Sequence, residues 1–580
     1  MGVWSLDAGP AAGAGACRNA GPAGCSGHAG RAKARDEARG AVGASRGREP
    51  RAPGVGASRW HPALGGRVRG CGRGTLGRGR LARAETVSAD CRAAGAVDFA
   101  KIRLFSPVFL LETQVLLLWP NFTETKGNAM SLPASDLTKK ADNRTADQLG
   151  AVLPATAEVR DGHLLIGGVD MVQLARTQGT ALYVFDETDL RSRMEAYRDE
   201  FAKRYPSSDI IYASKAFLNK EVLRLANAEG LCLDVSGGGE LACARAVDFP
   251  TARVFMHGNN KTPQELEEAM SAGVGRIVLD SRLELARVSE IAQRLGIVQD
   301  VYMRITPGVE ADTHEYIRTG CEDSKFGFTM REDFAYKCVA DVLAAPGVRL
   351  VGLHCHIGSQ IFALHSFREA AAVMVDFMAR IRDGYGVTLG ELDLGGGLGI
   401  AYTADHEPSS IADFAEVTTA AVKDFCGQHG LPLPRLLVEP GRSLVANAGV
   451  TLYTVGILKT LPGIRKYVAV DGGMSDNIRT ALYHAEYEPV IANKADQPRT
   501  EIVTLCGKHC ESGDAVVIDG SLQPAELGDI VCVFGTGAYN MTMASNYNGQ
   551  PRPAVVFVKD GQARVVTRRE TYADLYARDL

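Results

Sequence analysis

Residues 210–216 read Ile-Ile-Tyr-Ala-Ser-Lys-Ala, a short apolar run that closes around Lys215. Its length and its β-branched and aromatic content predict a buried strand with one amine at its end. A lysine ammonium is strongly hydrated, and a carbonyl compound that forms a Schiff base with it would compensate its removal from water. Taken alone, the pattern fits a lysine at the solvent-exposed end of a strand better than a catalytic one.

Seven further runs of this kind follow and are separated by segments with helical periodicity. They span residues 231–236, 253–257, 276–280, 301–306, 350–356, 392–395 and 436–439. Thr262-Pro263 and Ser281 indicate helix starts between them. Eight β-α units over about 230 to 250 residues predict an α/β fold, a closed (β/α)8 TIM-type barrel with its active site at the carboxyl ends of the strands. An open doubly wound sheet would give similar local patterns, so it stays open here.

The character of the sequence changes after residue 450. Runs at 450–459, 466–470, 501–506, 530–534 and 554–559 predict strands with turns and few long helices. We therefore expect a barrel at residues 187–450 and a second, mainly β domain at 451–580. The segment 130–186 is expected to contribute strands to that β domain.

Residues 1–129 form a low-complexity leader. Its first 100 residues are rich in Gly, Ala and Arg and carry 16 Lys and Arg against 7 Asp and Glu. Such a composition cannot readily bury a core, and its length fits a transit peptide poorly. An apolar stretch at 105–122 is interrupted by Glu112 and flanked by prolines, so it is marginal as a membrane span, with a signal or anchor role left open. We expect the leader to be disordered or not translated, with Met130 as the true start.

The rest of the chain is acidic, with 48 Lys and Arg against 61 Asp and Glu. This balance gives no support to nucleic-acid binding. Of the 13 cysteines, the nine beyond the leader show no CxxC pair and no regular spacing, which is typical of a reduced compartment without a zinc site. We expect a cytoplasmic protein that binds no metal, nucleic acid or membrane.

Seven of the eight predicted barrel strands end in residues that a packed core does not require. These ends carry Lys215, Asp234 and Ser236, His257, Arg304, His354 and His356, the glycines 395–397, and Glu439 with the Pro-Gly-Arg that follows it. Each has an ordinary explanation on its own, such as a helix cap for Asp234 or a core position for His356. Their shared place at the strand ends favours one common site.

Glycine-rich segments follow the seventh and eighth strands, GGGLG at 395–399 and PGR at 440–442. Barrels often bind phosphate at these two strands through backbone N–H groups. The first segment does not match the GxGxxG pattern of a dinucleotide-binding unit. A lysine, a phosphate site and the Glu439 carboxylate, which could face a pyridinium nitrogen, together match what pyridoxal phosphate requires.

Seven ordered motifs resemble diaminopimelate decarboxylases, which are barrel-type, fold type III pyridoxal-phosphate enzymes. They are YASKA (212–216), HGNNK (257–261), HIGSQ (356–360), GGG (395–397), EPGR (439–442), CESGD (510–514) and GAY (537–539). The resemblance covers residues 145–580. It implies pyridoxal 5'-phosphate as cofactor and decarboxylation of meso-2,6-diaminopimelate at its D-centre to L-lysine and carbon dioxide, the last step of lysine biosynthesis.

The resemblance also implies roles for matching residues in cofactor binding. Lys215 would bond the cofactor with Asp234 near it, His356 would stack on the ring, and Glu439 would keep the ring nitrogen protonated. Phosphate contacts are implied for Ser359, Gly396, Gly397, Gly441, Arg442 and Tyr539.

Other matching residues are implied in binding and protonating the substrate. Its charged ends would be bound by Arg442, Arg479, Tyr483, Glu511 and Tyr539. Cys510 would donate the proton to the carbanion left after decarboxylation. In this family Cys510 and Glu511 come from the partner subunit, which implies a homodimer with shared active sites.

Two alternatives remain, and one position departs from the family pattern. An ornithine- or arginine-type decarboxylase on the same fold would typically carry Asp where this chain has Glu511, and would lack the arrangement at 475–479. A non-catalytic pyridoxal-phosphate-binding protein built from one barrel would lack the β domain and Cys510. Thr480 follows Arg479 where many relatives have proline, which puts the local turn in question.

Overall fold

The computed structural model describes residues 132–309 and 324–580. The predicted leader, the stretch 105–122 and Met130 lie outside the described residues. The first strands form a small antiparallel sheet, β1 (Glu158–Arg160), β2 (His163–Ile166) and β3 (Val169–Asp170). They are followed by α1 (Met171–Gln178), β4 (Leu182–Asp186) and α2 (Glu187–Arg204).

Each of the eight predicted barrel runs forms a strand. They are β5 (Ser208–Ala213), β6 (Cys232–Val235), β7 (Val254–Met256), β8 (Arg276–Leu279), β9 (Gln299–Thr306), β11 (Val348–His354), β12 (Glu391–Asp393) and β13 (Arg435–Val438), with a short β10 (Phe328–Thr329) beside β9. The eight strands are parallel, and pairing of β8 with β9 and of β13 with β5 closes the ring. The TIM-type barrel is confirmed, and the open doubly wound alternative is wrong.

Helices follow the strands of this barrel. They are α3 (Lys220–Ala228), α4 (Gly238–Arg245), α5 (Pro263–Ser271), α6 (Arg282–Leu295), α7 (Phe334–Ala344), α8 (His365–Tyr385), α9 (Ile411–His429) and the short α10 (Arg442–Val445). The predicted helix starts are confirmed: Thr262 caps α5 through the N–H of Glu265, and Ser281 caps α6. Each side-chain oxygen satisfies an N–H group that the first helical turn leaves without a partner.

The inside of the barrel is layered, because side chains of a strand alternate between its two faces. One layer is a buried apolar cluster of Ile211, Cys232, Phe255, Val278, Tyr302 and Leu437. Two residues further along the same strands stand the buried polar side chains of Asp234, His257, Asp280, Arg304 and Glu439. The barrel therefore has an apolar floor with a polar layer above it, on the side of the carboxyl ends of the strands.

The second domain is mainly β and uses strands from both sides of the barrel in sequence. Its strands are β14 (Gly449–Leu461), β15 (Arg465–Val470), β16 (Pro489–Ile491), β17 (Glu501–Cys506), β18 (Ala515–Leu522), β19 (Ile530–Val533), β20 (Ala554–Lys559) and β21 (Gln562–Thr567), with helices α11 (Arg479–Tyr483) and α12 (Tyr572–Leu575). β4 lies between β14 and β20, antiparallel to the first and parallel to the second. The strand that precedes the barrel is thus central to the sheet that follows it.

Two apolar clusters hold these layers together. The larger lies between the barrel strands and their helices and extends into the β domain. The smaller joins the first sheet to β4, β14, β19 and β20 through residues such as Leu164, Val184, Leu452 and Val556. Among the residues that the structure describes, none of the helices is long and apolar enough to cross a membrane.

Candidate active site

A cavity of about 500 Å³ opens above the polar layer of the barrel. Eight of the residues to which the family resemblance gives a role line it: Lys215, His356, Ser359, Glu439, Arg442, Arg479, Tyr483 and Tyr539. Ser236, His257, Gly258, Asn259, Arg304, Phe326, His354 and Met543 complete the wall. The barrel and the β domain both contribute, so the cavity needs both domains.

Lys215 lies just beyond β5 and is held there by the β domain. The N–H of Tyr539 donates to the carbonyl of Ala216 at 2.7 Å, and the hydroxyl of Thr542 donates to the carbonyl of Lys215 at 3.1 Å. Its Nζ lies 3.7 Å from Oδ2 of the buried Asp234. Loss of hydration is the largest influence and opposes the charge of the amine, but Asp234, Tyr539 and Glu439 together outweigh it and raise the pKa of Lys215 above its usual value. The free amine is therefore protonated at neutral pH.

Glu439 stands between two buried imidazoles. Nε2 of His257 lies 2.8 Å from Oε1 of Glu439, and Nε2 of His354 lies 3.2 Å from Oε2. Burial opposes ionisation of this carboxyl, yet the two imidazoles hold the pKa of Glu439 well below its usual range. Burial lowers the pKa of His354 to about 4, so at neutral pH this ring is neutral and donates its single N–H to Glu439. The ligand atoms of the three side chains all lie within 4.8 Å of one another, so the cluster could also hold a metal ion.

The glycine segment after β12 packs against His356 and the end of β13. The N–H of Gly396 donates to Nδ1 of His356 at 3.2 Å, and burial, together with the charge of Lys215, lowers the pKa of His356 well below its usual value. A Cβ on Gly396 would lie 2.1 Å from the carbonyl oxygen of Glu439. Gly397 has a φ of 130°, and a Cβ there would lie 2.5 Å from the carbonyl oxygen of Gly358. Only glycine permits this close approach of three backbone segments.

Arg442 begins α10, directly after Gly441, and reaches into the cavity. Its guanidinium donates to Oγ of Ser359 from Nε at 3.2 Å and from Nη2 at 3.0 Å, and it stands 4.9 Å from the ring centre of Tyr539. Gly441 packs against β5, since a Cβ on it would lie 3.0 Å from Cβ of Ala213. The predicted phosphate contacts Ser359, Arg442 and Tyr539 are therefore brought together at one wall.

A second arginine, Arg479, shares a hydrogen-bond acceptor with Arg442. The hydroxyl oxygen of Tyr402 accepts from both guanidinium groups, and Arg479 also donates to the hydroxyl of Tyr487 at 2.9 Å. Burial opposes ionisation of Tyr402, but the two arginines prevail and lower the pKa of its hydroxyl. Thr480, which stands where many relatives have proline, lies in the helix α11. Its hydroxyl donates to the carbonyl of Val516 at 2.7 Å.

Cys510 and Glu511 are not brought to this cavity within the described chain. Cys510 is exposed, and its backbone N–H donates to Oδ1 of Asn548 at 2.7 Å. The preceding His509 is buried and contacts Asp514 through Nδ1 at 2.9 Å. The loop therefore has a fixed conformation and presents Cys510 outward.

Several residues of the site were not assigned from the sequence. His257, noted as a strand end and as part of HGNNK, and His354, noted as a strand end, were given no role, and Tyr402 and Asp393 were not singled out at all. The strand period could have found Asp393, because it lies two residues before the glycine segment at the end of β12. Tyr402 belongs to a loop without periodicity, and no sequence pattern points to it.

The residues present fit a pyridoxal phosphate group. In the described part of the site, both carboxylate oxygens of the buried Asp234 lack a hydrogen-bond partner. Such atoms in a dry interior require a polar ligand. Lys215 supplies an amine, Glu439 an anion for a ring nitrogen, and Arg442 with the glycine segment a cationic and N–H-rich cradle for a phosphate.

Residues 187–446 match the family model described as pyridoxal-dependent decarboxylase, pyridoxal binding domain. The diaminopimelate decarboxylase of Bacillus subtilis is 47% identical over 419 residues, which are 72% of this chain and 95% of the relative. The chain belongs to the diaminopimelate decarboxylase family. The enzyme of Synechocystis is 43% identical over 463 residues, covering 78% of this chain and 97% of its own.

The solved structures agree with this membership in the diaminopimelate decarboxylase family. A crystal structure of diaminopimelate decarboxylase from M. jannaschii in co-complex with L-lysine has a TM-score of 0.69 and 34% sequence identity. The match covers 74% of this chain and 98% of the chain in that crystal structure. The family membership therefore extends over the barrel and the β domain together.

Proposed function

We propose that this chain is a pyridoxal-phosphate-dependent carboxy-lyase that converts meso-2,6-diaminopimelate to L-lysine and carbon dioxide. The observation that carries the proposal is the single cavity in which Lys215, Glu439 and Arg442 stand together with Arg479. Relatives that are diaminopimelate decarboxylases over almost their full length support the same substrate.

Different residues of the site would hold different parts of the cofactor. When bound, pyridoxal phosphate supplies a carbonyl that bonds to amines and a ring that accepts the electron pair released with carbon dioxide. Lys215 would bind the carbonyl end, with Asp234 beside its amine. Glu439, held anionic by its two histidines, would keep the ring nitrogen protonated. His356 would pack on the ring, and Ser359 with Arg442 would bind the phosphate.

The arginine and tyrosine side chains of the β domain suit a substrate with a second amino-acid centre. Arg479 is buried, and its position is fixed by hydrogen bonds to Tyr402 and Tyr487. A fixed guanidinium binds a carboxylate with two parallel hydrogen bonds and discriminates strongly against a substrate that lacks it. The guanidinium carbon of Arg479 lies 5.8 Å from the ring centre of Tyr483. Ornithine has no second carboxylate, so Arg479 favours diaminopimelate as the substrate.

We further infer that the active unit is a homodimer in which each cavity is completed by Cys510 and Glu511 of the other copy. The cavity of one chain contains no cysteine among its lining residues, while Cys510 is exposed on a structured loop. Its thiol would hold the proton that is delivered to the carbon after carbon dioxide leaves. The described cysteines are all free thiols, which supports a cytoplasmic setting.

Parallel incubations of the purified holoenzyme with meso-diaminopimelate and with ornithine test the proposed function. We expect L-lysine and carbon dioxide from the first and a much lower rate with the second. Putrescine from ornithine at a comparable rate would favour the ornithine-type alternative. No product from either, with cofactor bound, would favour a non-catalytic cofactor-binding protein.

A further inference from the structure

The CESGD motif ends in a buried aspartate, Asp514, to which no role has been given. It closes the Cys510 loop, residues 507–514, which follows β17. The Arg479 segment, residues 471–479, follows β15, and β15 and β17 are parallel neighbours. Because parallel neighbours run in the same direction, the loop and the segment leave the sheet at the same edge.

The carboxylate of Asp514 joins the Cys510 loop to the Arg479 segment. Its Oδ1 accepts the N–H of Met474 at 2.7 Å. Its Oδ2 accepts the N–H of His509 at 2.7 Å and contacts Nδ1 of the same residue at 2.9 Å. The N–H of Lys508 also donates to the carbonyl of Gly472 at 3.1 Å. One buried carboxylate therefore satisfies backbone donors of both, and hydrogen bonds to an ionised acceptor are stronger than those between neutral groups.

Two glycines leave the room that this junction needs. Gly473 has a φ of 143°, and a Cβ there would meet Oδ1 of Asp514 and lie 2.7 Å from Nδ1 of His509. A Cβ on Gly507 would meet Oδ2 of Asp514 and lie 2.6 Å from the carbonyl oxygen of Gly472. The loop and the segment can enclose the carboxylate only because both positions are glycine.

Hydrogen bonds carry the position of this junction along the segment to Arg479. The carbonyl of Gly473 accepts the N–H of Asp476 at 3.1 Å and that of Asn477 at 2.9 Å. The side-chain oxygen of Asn477 in turn accepts the N–H of Arg479 at 3.2 Å. The guanidinium that lines the cavity is thus linked to Asp514 through a short run of backbone contacts.

We propose that Asp514 is a positioning residue that fixes the Cys510 loop against the Arg479 segment. Asp514 does not itself line the cavity. Arg479 lines the cavity of its own chain, whereas Cys510 is proposed to complete the cavity of the other copy. One carboxylate therefore sets the geometry of groups that serve two active sites. The consequence for catalysis rests on the proposed function, while the junction rests on the contacts of Asp514.

Hydrogen exchange of the backbone amides in the purified holoenzyme tests the junction without reference to activity. Asp514→Ala removes the acceptor of the N–H groups of both Met474 and His509. Peptides that cover 472–479 and 507–511 should therefore exchange at least about tenfold faster than in the wild type. The rest of the chain should keep its rates.

Asp529→Ala is the matched control, because it removes a buried carboxylate of the same domain that accepts the N–H of Glu526 at 2.8 Å. It should leave both peptides at their wild-type rates. Unchanged exchange of both peptides in Asp514→Ala would overturn the proposal, and so would equal acceleration throughout the β domain. If Asp514→Ala does not fold, Asp514→Asn keeps one acceptor and should accelerate at least one of the two peptides.

Mixed dimers, purified through a different affinity tag on each chain, test the effect on two sites. A wild-type chain paired with a Lys215→Ala chain keeps one intact site and is the reference. Asp514→Ala added to the Lys215→Ala chain loosens only the Cys510 that serves this site, so kcat should fall at least about tenfold with KM kept. Asp514→Ala in the other chain loosens only the Arg479 of this site, so KM should rise at least about tenfold with kcat kept.

The same change of kcat and KM in both arrangements would overturn the proposal, because a substitution that merely destabilises the fold acts in the same way from either chain. A failure of the proposed function would show separately, as the absence of lysine from the reference dimer.

Discussion

Among the charged groups around the amine of Lys215, Asp234 does most to raise its pKa, and this effect is testable by pH. Only the neutral amine attacks a carbonyl, and the raised pKa of Lys215 keeps the neutral fraction small at pH 7. The rate at which the apoprotein binds pyridoxal phosphate should therefore rise with pH, by about tenfold per unit, up to the pKa of Lys215. In Asp234→Asn the main stabiliser of the ammonium is lost, so the pKa falls and the rate should level off at lower pH.

The control for this experiment is Asp248→Asn, which removes an exposed carboxylate from a turn where asparagine tolerates the left-handed backbone at φ 55°. Its pH profile should match the wild type. Stopped-flow absorbance on mixing apoprotein with cofactor gives the rates. An unchanged profile in Asp234→Asn would remove Asp234 from control of the Lys215 charge.

Tyr402 couples the two arginines of the site. Tyr402→Phe removes the oxygen that accepts from both guanidinium groups and leaves the buried ring in place. Loss of a hydrogen bond to a charged group costs about 1.5 to 3 kcal/mol, or about 10- to 150-fold. We expect a KM for meso-diaminopimelate raised by that factor with kcat less affected. Tyr205→Phe, which removes a buried hydroxyl bonded to the carbonyl of Pro434, should leave KM unchanged.

At the scale of elements, the barrel strands were predictable because each is a compact apolar run. The β domain was less so. The strand β18 was not predicted, because Asp519, at φ 49°, and Gly520 interrupt its run of apolar residues. Its pairing with β17 also contains two register shifts. None of the residues of β21 is buried, and β16 is only three residues long. The pairing of β4 with β14 is a contact across the whole barrel sequence, which no local pattern encodes.

The same limit applies to the site. Strand-end residues such as Glu439 could be predicted because the fold collects them. The link from Arg479 to Tyr402 is tertiary and became visible only in three dimensions.

The glycine segment offers a test of an element rather than a side chain. Gly396→Ala places a Cβ 2.1 Å from the Glu439 carbonyl oxygen, so the segment must move away from β13. We expect the affinity for pyridoxal phosphate, measured by absorbance titration, to fall at least about tenfold. Gly390→Ala, just before β12, meets no atom within 4 Å and should keep its affinity. Equal affinity in both variants would contradict a cradle that depends on close backbone approach.

At the scale of the whole molecule, the cavity is built by two domains and, as proposed, by two copies of the chain. The barrel supplies Lys215 and Glu439, and the β domain supplies Arg479 and Tyr539. Cys510 lies on the same β domain, is exposed and does not line this cavity. In the proposed homodimer the second chain's Cys510 would complete this cavity, so each chain alone would be inactive.

Co-expression of a Lys215→Ala chain with a Cys510→Ala chain tests this account most directly. Each variant alone should form lysine at a negligible rate, although Cys510→Ala should still bind the cofactor. Random pairing makes half of the dimers mixed, each with one intact site, so about a quarter of the wild-type activity should return. No recovery, with mixed dimers present and folded, would contradict sites shared between chains. Full activity of Cys510→Ala alone would contradict the role of Cys510 as proton donor.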